Sequence, residues 1–386
     1  MKKLGLIIGI FIGIILLLFI TLRVVWSLKE KKVLNVYILD KTVTRYDRHE
    51  HKSFTWLLNH FRYVMPDMKS YSSKEDYFGF FPVDIENEVF DFKSVRINEV
   101  DAYASAFDMV YYTDCYGVHS FEWYKGKTKP IRSQKVYGGL NQNDFLLIKK
   151  MLDGGKLVLA EYNMFSTPTN ALIRSKTESA FGIGWSGWTG KYFPTFDVNS
   201  YDGPPAWMKN LFESQHMGVW PDDKPGIVMI NNDGLIEVLA LGDHLNAAIP
   251  IIETGDDEAK RFGVSPRIEF LQWFEFVSPG QNKVPSNFKI DVNADGQKIL
   301  DRIGLKNVFP AVVEHPGAEK YFYLCGDFSE NPASMWTAKM AGGKSLNHFA
   351  TRFKEPIRAN FFKNYYAPLI NSILQEYSTS RQVPRK

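Results

Sequence analysis

No residue between Leu4 and Leu22 is charged, and nearly all are Leu, Ile, Phe or Gly. As an α-helix rising about 1.5 Å per residue, the stretch reaches roughly 28 Å, against a hydrocarbon core about 30 Å thick. A run apolar on every face does not suit the surface of a soluble fold, where a helix keeps one polar side. Residues 4–22 are therefore expected to cross a membrane once, with residues 1–32 as anchor and flank. A secretory signal peptide has a shorter apolar region, about 7–15 residues, and ends in a small-residue cleavage site. Thr21-Leu22-Arg23-Val24-Val25-Trp26 offers no such site, so the run reads as an uncleaved anchor.

Orientation rests on the flanks. Lys2 and Lys3 precede the run; Arg23, Lys29, Lys31 and Lys32 come after it, against Glu30. Basic count favours a cytoplasmic body, whereas a short dibasic tail before an apolar run has the form of a signal-anchor that exports the remainder of the chain. The expectation adopted is a single-pass cell-membrane protein with its body outside the cytoplasm, on a tether of about ten residues from Arg23 to Lys32.

The full chain is 45% hydrophobic and 23% charged, a globular composition with enough apolar matter for a packed core. The net charge of +3 is scattered and belongs partly to the membrane flank, so no nucleic-acid partner is expected. Aromatics make up 15%, which suits a core and equally a sugar-binding surface. Cys115 and Cys325 allow one disulfide or two free thiols.

Short apolar runs at 33–39, 107–112 and 156–160 read as buried strands. Helices are predicted over 53–61, through Phe54, Leu57, Leu58 and Phe61, and over 144–152, capped by Asn143 and stopped by Gly154-Gly155. Residues 115–140 read as a loop or hairpin. Further strands are expected at 226–230, 235–241, 248–252 and 320–324, the first two as a hairpin, and a helix over 356–377. Strands alternating with helices give a mostly parallel α/β sheet with helices on both faces. The domain reading is one α/β domain over 33–280, with 281–386 as its C-terminal part or a small lobe.

In open parallel sheets, ligands bind beyond the carboxyl ends of the strands. Three predicted strands end in an acid, at Asp40, Asp114 and Glu161, and two run into Gly-Asp, at Asp243-His244 and Asp327. If they share one sheet edge, these groups meet there. Paired carboxylates serve as general acid and base, although acids after strands also serve as caps and turn residues.

Residues 107–166 resemble the core of the class I glutamine amidotransferase-like (flavodoxin-like) fold, in which a strand, a helix and a second strand lead to a sharp turn with a catalytic cysteine. The corresponding turn here, Leu159-Ala160-Glu161-Tyr162-Asn163-Met164, has none, and Cys115-Tyr116-Gly117 follows the preceding strand instead. The family's downstream His-x-Glu pair is also missing at His244 and His315. The resemblance implies the fold without glutamine hydrolysis. Through Tyr46-Asp47-Arg48-His49-Glu50-His51 and Trp56-Leu57-Leu58-Asn59 the chain also resembles membrane-anchored bacterial proteins of unassigned function.

Arg48, Glu50 and His51 would bring cation, acid and base to the crevice; the competing reading is a solvated helix start. His49 and His51 alone do not make a zinc site, and no metal or cofactor is expected. Phe181 to Gly190, with Trp185 and Trp188, reads either as a sugar-stacking surface or as a tight bend that buries both indoles. Asp291 to Gly296 matches the first half of a calcium loop, but Arg302 occupies the position of the bidentate Glu, so a helix cap is expected. Cys325 reads as a buried thiol. Two functions remain: a non-catalytic module binding an envelope glycan, another ligand or a partner through Asp40, Arg48, Glu50, His51, Asn163, Trp185, Trp188, Asp243, His244 and Asp327, or a hydrolase of such material using Glu161 or Asp114.

Overall fold

The computed structural model describes residues 2–124, 133–317 and 320–382. Five parallel strands form its centre: β1 (Val36–Asp40), β2 (Phe78–Asp84), β3 (Met109–Asp114), β4 (Leu157–Glu161) and β5 (Tyr321–Leu324). Every position of β1 and β4 is buried, as expected of β-branched, apolar strands covered on both faces. Their spatial order is 2-1-3-4-5.

The whole sheet is mixed rather than mostly parallel, which corrects the sequence expectation. Val89–Lys93 pairs antiparallel with β2 at one edge. Beyond β5, Val308–Glu314, Lys283–Lys289, Ile251–Thr254 and Arg267–Glu269 follow one another antiparallel. The chain lengths explain part of this. Only residues 85–88 separate β2 from its partner, and only 315–320 separate Glu314 from Tyr321. A parallel crossover needs about a dozen residues or more. Lys283–Lys289, Val308–Glu314 and β5 thus lie in the same ten-stranded sheet as β1, β3 and β4.

Residues 162–320 separate β4 from β5. They include a second, antiparallel sheet of Gly184–Phe193, Gly226–Asn231, Ile236–Ala240 and Phe274–Ser278. One face of it packs on Phe196, Met208 and Trp220. The 226–240 hairpin is as expected. The segment with Trp185 and Trp188 is a strand, not a tight bend. A side chain at Gly190 would meet the Phe274 ring at 2.6 Å, so the glycine lets that ring lie across the strand.

Several boundaries move for local reasons. The helix predicted over 144–152 is Gln142–Asp153, because Asn141 rather than Asn143 is its cap. The Asn141 side chain accepts from the N–H groups of Asn143 and Asp144, and the Asp144 carboxylate accepts from Asn141 N–H, a reciprocal capping box. The helix after β1 is His49–His60 rather than 53–61. Asn293 caps Ala294–Arg302, in place of a calcium loop. Val118–His119 pairs with Lys135–Tyr137 as a hairpin; residues 125–132 lie outside the described part. The C-terminal helical stretch is not continuous α-helix over 356–377: a π-helical turn at Phe362–Tyr366 divides Pro356–Phe361 from Ala367–Gln382.

The N-terminal helix runs from Lys2 to Ser27 and is long and apolar enough to cross a membrane. It does not give way to a ten-residue tether after Leu22. Its last turns dock on the body: Trp26 is 7% exposed, its indole N–H donates to the His60 carbonyl at 3.1 Å, and the guanidinium groups of Arg62 and Arg23 stand 4.7 and 5.0 Å from its ring centre. Truncating a buried Trp costs about 3–5 kcal/mol. In bilayer-reconstituted protein, Trp26→Ala is expected to open residues 23–35 to added protease under conditions where the parent chain resists. Equal cleavage of both would contradict the docked geometry.

Candidate functional site

The strand order turns back between β1 and β3, and the carboxyl ends of β1, β3, β4 and β5 reach one edge of the sheet. Such a reversal opens a crevice, because neighbouring connections leave in opposite directions. Asp40, Asp114, Glu161 and Asp327 are all carried there. Asp243 and His244 are not, because Ile236–Ala240 before them belongs to the second sheet. Asp243 pairs with Lys224 at 2.6 Å, and His244 Nδ1 accepts from Ala240 N–H at 3.2 Å. Trp185 and Trp188 also belong to the second sheet; Trp185 lies under the Arg174 guanidinium at 5.0 Å.

Beyond β1, two polar pairs build the wall. Asp40 Oδ1 accepts from Thr42 N–H at 3.0 Å, and Oδ2 meets His51 Nδ1 at 2.6 Å. His51 Nε2 meets the Ser73 carbonyl at 2.7 Å. Both ring nitrogens of His51 are thereby engaged, which fixes the ring between the end of β1 and the loop that carries Ser73. Lys41 Nζ lies 2.5 Å from Asp144 Oδ2 and 2.8 Å from the Gly139 carbonyl, all buried. Burial alone would lower the Lys41 pKa; the Asp144 carboxylate outweighs it, and the net shift is upward. At Gly79, with φ +124°, a Cβ would lie 1.7 Å from the Asp40 carbonyl, so only glycine lets β2 close on the end of β1.

Beyond β3, Asp114 is half-buried. Its Oδ1 accepts from Tyr116 N–H at 2.7 Å and the Asn163 amide at 3.2 Å. Burial lifts its pKa to about 7, with Asp40 adding to the rise and these hydrogen bonds opposing it. Cys115 and Cys325 are both free, not disulfide-bonded, and buried. Burial pushes both thiols up, away from the thiolate that nucleophilic attack needs.

Beyond β4, Glu161 is buried and fully engaged. One oxygen accepts from the Tyr111 hydroxyl, the other from the N–H groups of Phe328 and Ser329 at 3.0 Å. Burial lifts its pKa to about 8 against these bonds. A group so enclosed holds β4, β3 and the turn after β5 together. Asn163 sits in the sharp turn at φ +70°, its amide oxygen accepting from the Ser166 hydroxyl at 2.8 Å.

At this edge Asp327, Glu330, Glu50 and His49 form one interacting group. Burial, then Glu330 and Asp114, push Asp327 well above the carboxylate range. Burial would raise Glu330 too, but Arg358 and His49 hold it below its usual value. The two carboxyls thus shift in opposite directions, Asp327 upward and Glu330 downward. Glu330 meets Arg358 Nη2 at 3.3 Å, His49 Nε2 at 3.7 Å and Gln272 Nε2 at 2.6 Å. Glu50 Oε1 meets His49 Nε2 at 3.2 Å, while Glu50 Oε2 and Arg48 Nε are buried with no partner among the described residues. Burial, then Asp40, raise the Glu50 carboxyl. Half-buried Lys191 stands 5.5 Å from the Trp273 ring centre, and Trp273 stacks on Tyr162 at 6.4 Å and 8°.

The arrangement can hold several carboxyls in different protonation states beside an aromatic platform and two cations. Among the described residues no three His, Cys, Asp or Glu side chains are grouped to bind a metal ion. Glu330, Lys191, Trp273 and Arg358 carried no local sequence signal: they come from the insertion and from the segment after β5, far along the chain. No protein-family model matches this chain, and no curated protein matches it in sequence.

Proposed function

We propose that the chain is a single-pass membrane protein whose body, a class I glutamine amidotransferase-like domain without the catalytic cysteine, binds an envelope polysaccharide outside the cytoplasm without cleaving it. Retention of the anchor is supported by Trp26, whose indole is part of the folded body; removal of a signal sequence would strip it out. The flavodoxin-like reading draws on the 2-1-3-4-5 order of the parallel strands. The loss of hydrolysis draws on Asn163, which occupies the sharp turn after β4 with an amide in place of a thiol.

The observation that carries the ligand class is the partly buried polar set beside Trp273: Lys191 lies 5.5 Å from its ring centre, Asp327 N–H donates to its carbonyl, Glu330 accepts from the adjacent Gln272 and pairs with Arg358, and Tyr162 stacks on the indole. Sugar hydroxyls both donate and accept, and the aromatic face takes the apolar face of a pyranose. Full-length protein in nanodiscs, titrated with soluble fragments of envelope polysaccharide, is expected to show saturable binding, with the fragments unchanged by mass spectrometry. Trp273→Ala is expected to weaken that binding at least about tenfold, or about 1.4 kcal/mol. Undetectable binding by the parent chain, or a C-terminal reporter active only in the cytoplasm, would falsify this function.

A hydrolase is the second reading: Asp114 ends β3 at the sheet edge, bonded to Tyr116 N–H and the Asn163 amide, and burial raises its carboxyl to about 7, in the range a general acid needs near neutral pH. Shortened fragments whose formation stops in Asp114→Asn would select that reading.

A further inference from the structure

We propose that the segment from Met335 to Lys354 lies on the surface of the bilayer beside the N-terminal helix and binds anionic lipid headgroups, making a second membrane contact that fixes the orientation of the body. The inference rests on the reading of residues 4–22 as a retained membrane span.

The segment begins where the span ends. Trp336 is 51% exposed, and its ring lies 5.8 Å from that of Phe19, which is inside the apolar run. Just beyond, Ala341 N–H donates to the Leu22 carbonyl at 3.0 Å, and Arg23 Nη1 donates to the Lys339 carbonyl at 3.1 Å. A helix lying in a bilayer places Phe19 among the lipid tails or at their boundary. Trp336 must then stand at the interface, where indoles concentrate.

The segment continues in the same chemistry. Gly342 turns the chain into the helix Gly343–Thr351. Phe349 and Phe353 follow at 62% and 77% exposure, with ring centres 6.1 Å apart. The Arg352 guanidinium lies 5.0 and 4.8 Å from the two ring centres. Single exposed apolar residues are ordinary on soluble surfaces; here three large aromatics occur in one short stretch that begins against the span. Between Met335 and Lys354 there are four basic residues, Lys339, Lys344, Arg352 and Lys354, and no acidic one. Aromatics among Lys and Arg are the composition of an interfacial segment, and each basic group near an anionic surface adds to its attraction.

The test uses the full-length chain in nanodiscs of phosphatidylcholine and phosphatidylglycerol. A nitroxide is placed at one introduced cysteine, while the buried Cys115 and Cys325 stay unlabelled. Collision with molecular oxygen, which concentrates in lipid, is compared with collision with a water-soluble nickel chelate. Labels at Ile10→Cys and Phe353→Cys are expected to favour oxygen, and a label at fully exposed Tyr201→Cys to favour nickel. Phe349→Cys should repeat the Phe353 result if one variant folds poorly. If position 10 favours oxygen while 349 and 353 behave like 201, the inference fails and the anchor stands. If position 10 itself favours nickel, the anchor reading fails and takes the inference with it. Shielding of 349 and 353 from both reagents would mean a protein partner, and would also overturn the proposal.

Discussion

Lys41→Met is expected to lower the stability of the body by about 3–5 kcal/mol, the typical cost of removing one partner from a buried ion pair. Lys41 and Asp144 are both enclosed, at 2.5 Å, and their bond joins the end of β1 to the first turn of Gln142–Asp153. The single substitution leaves the Asp144 carboxylate without its cation, and Asp144 Oδ1 already lacks a hydrogen-bond partner among the described residues. It also removes the donor to the Gly139 carbonyl. The attraction between the two groups contributes less than this cost, because bringing both out of water opposes folding. Lys41→Met combined with Asp144→Asn should therefore recover more than half of the loss, since Asn can still accept from Asn141 N–H. Chemical denaturation of the four proteins in one detergent measures the cycle. A double variant as unstable as the sum of the two singles would mean that the sites are independent and the pairing argument is wrong.

This pair also marks where sequence reasoning stopped. Lys41 follows a legible strand, and Asp144 opens a legible helix, but nothing local says that the two meet. The period of apolar residues revealed β1, β3, β4 and β5, because strands buried on both faces are nearly uninterrupted apolar runs. Their terminal acids followed from position alone, and Asp40, Asp114, Glu161 and Asp327 do reach one edge. The second sheet stayed hidden because Gly184–Phe193 has glycine at every third position, at 184, 187 and 190, which reads as a bend when its partners Gly226–Asn231 and Phe274–Ser278 are unknown. Asp243 and His244 were misplaced for the same reason. Exposure was also invisible: Glu161 was expected at the crevice as an acid or base, yet Tyr111 and two backbone N–H groups surround it. Its position came from local pattern, whereas its environment came from residues far away along the chain, Phe328 and Ser329 among them.

The stability of the body is expected to fall as pH rises from about 4.5 to about 8, and to change little from these groups on either side of that window. Glu161 and Glu275 are both enclosed, and burial lifts each to about 8 from an ordinary value of 4.5. In the unfolded chain both carboxyls lose their protons near 4.5, while in the folded protein they keep them until about 8. The folded state binds more protons between those limits, so stability declines with pH. Each group contributes to the decline throughout that window, and the two contributions add. Opposing donors set a limit: Tyr111 gives its hydroxyl hydrogen to Glu161 and Tyr323 to Glu275, so each carboxylate, once formed, keeps hydrogen bonds and the fold survives its ionisation. Glutamine is neutral throughout the range and keeps an oxygen that can accept. Glu161→Gln and Glu275→Gln should each flatten the profile by one group's share, and the double variant should lie above the parent at about pH 9 and close to it at about pH 5. Melting temperatures recorded across that range in one detergent decide the matter; a parent profile that rises toward about pH 8, or variants with the same slope as the parent, would show that the buried carboxyls are ionised in the native state at neutral pH.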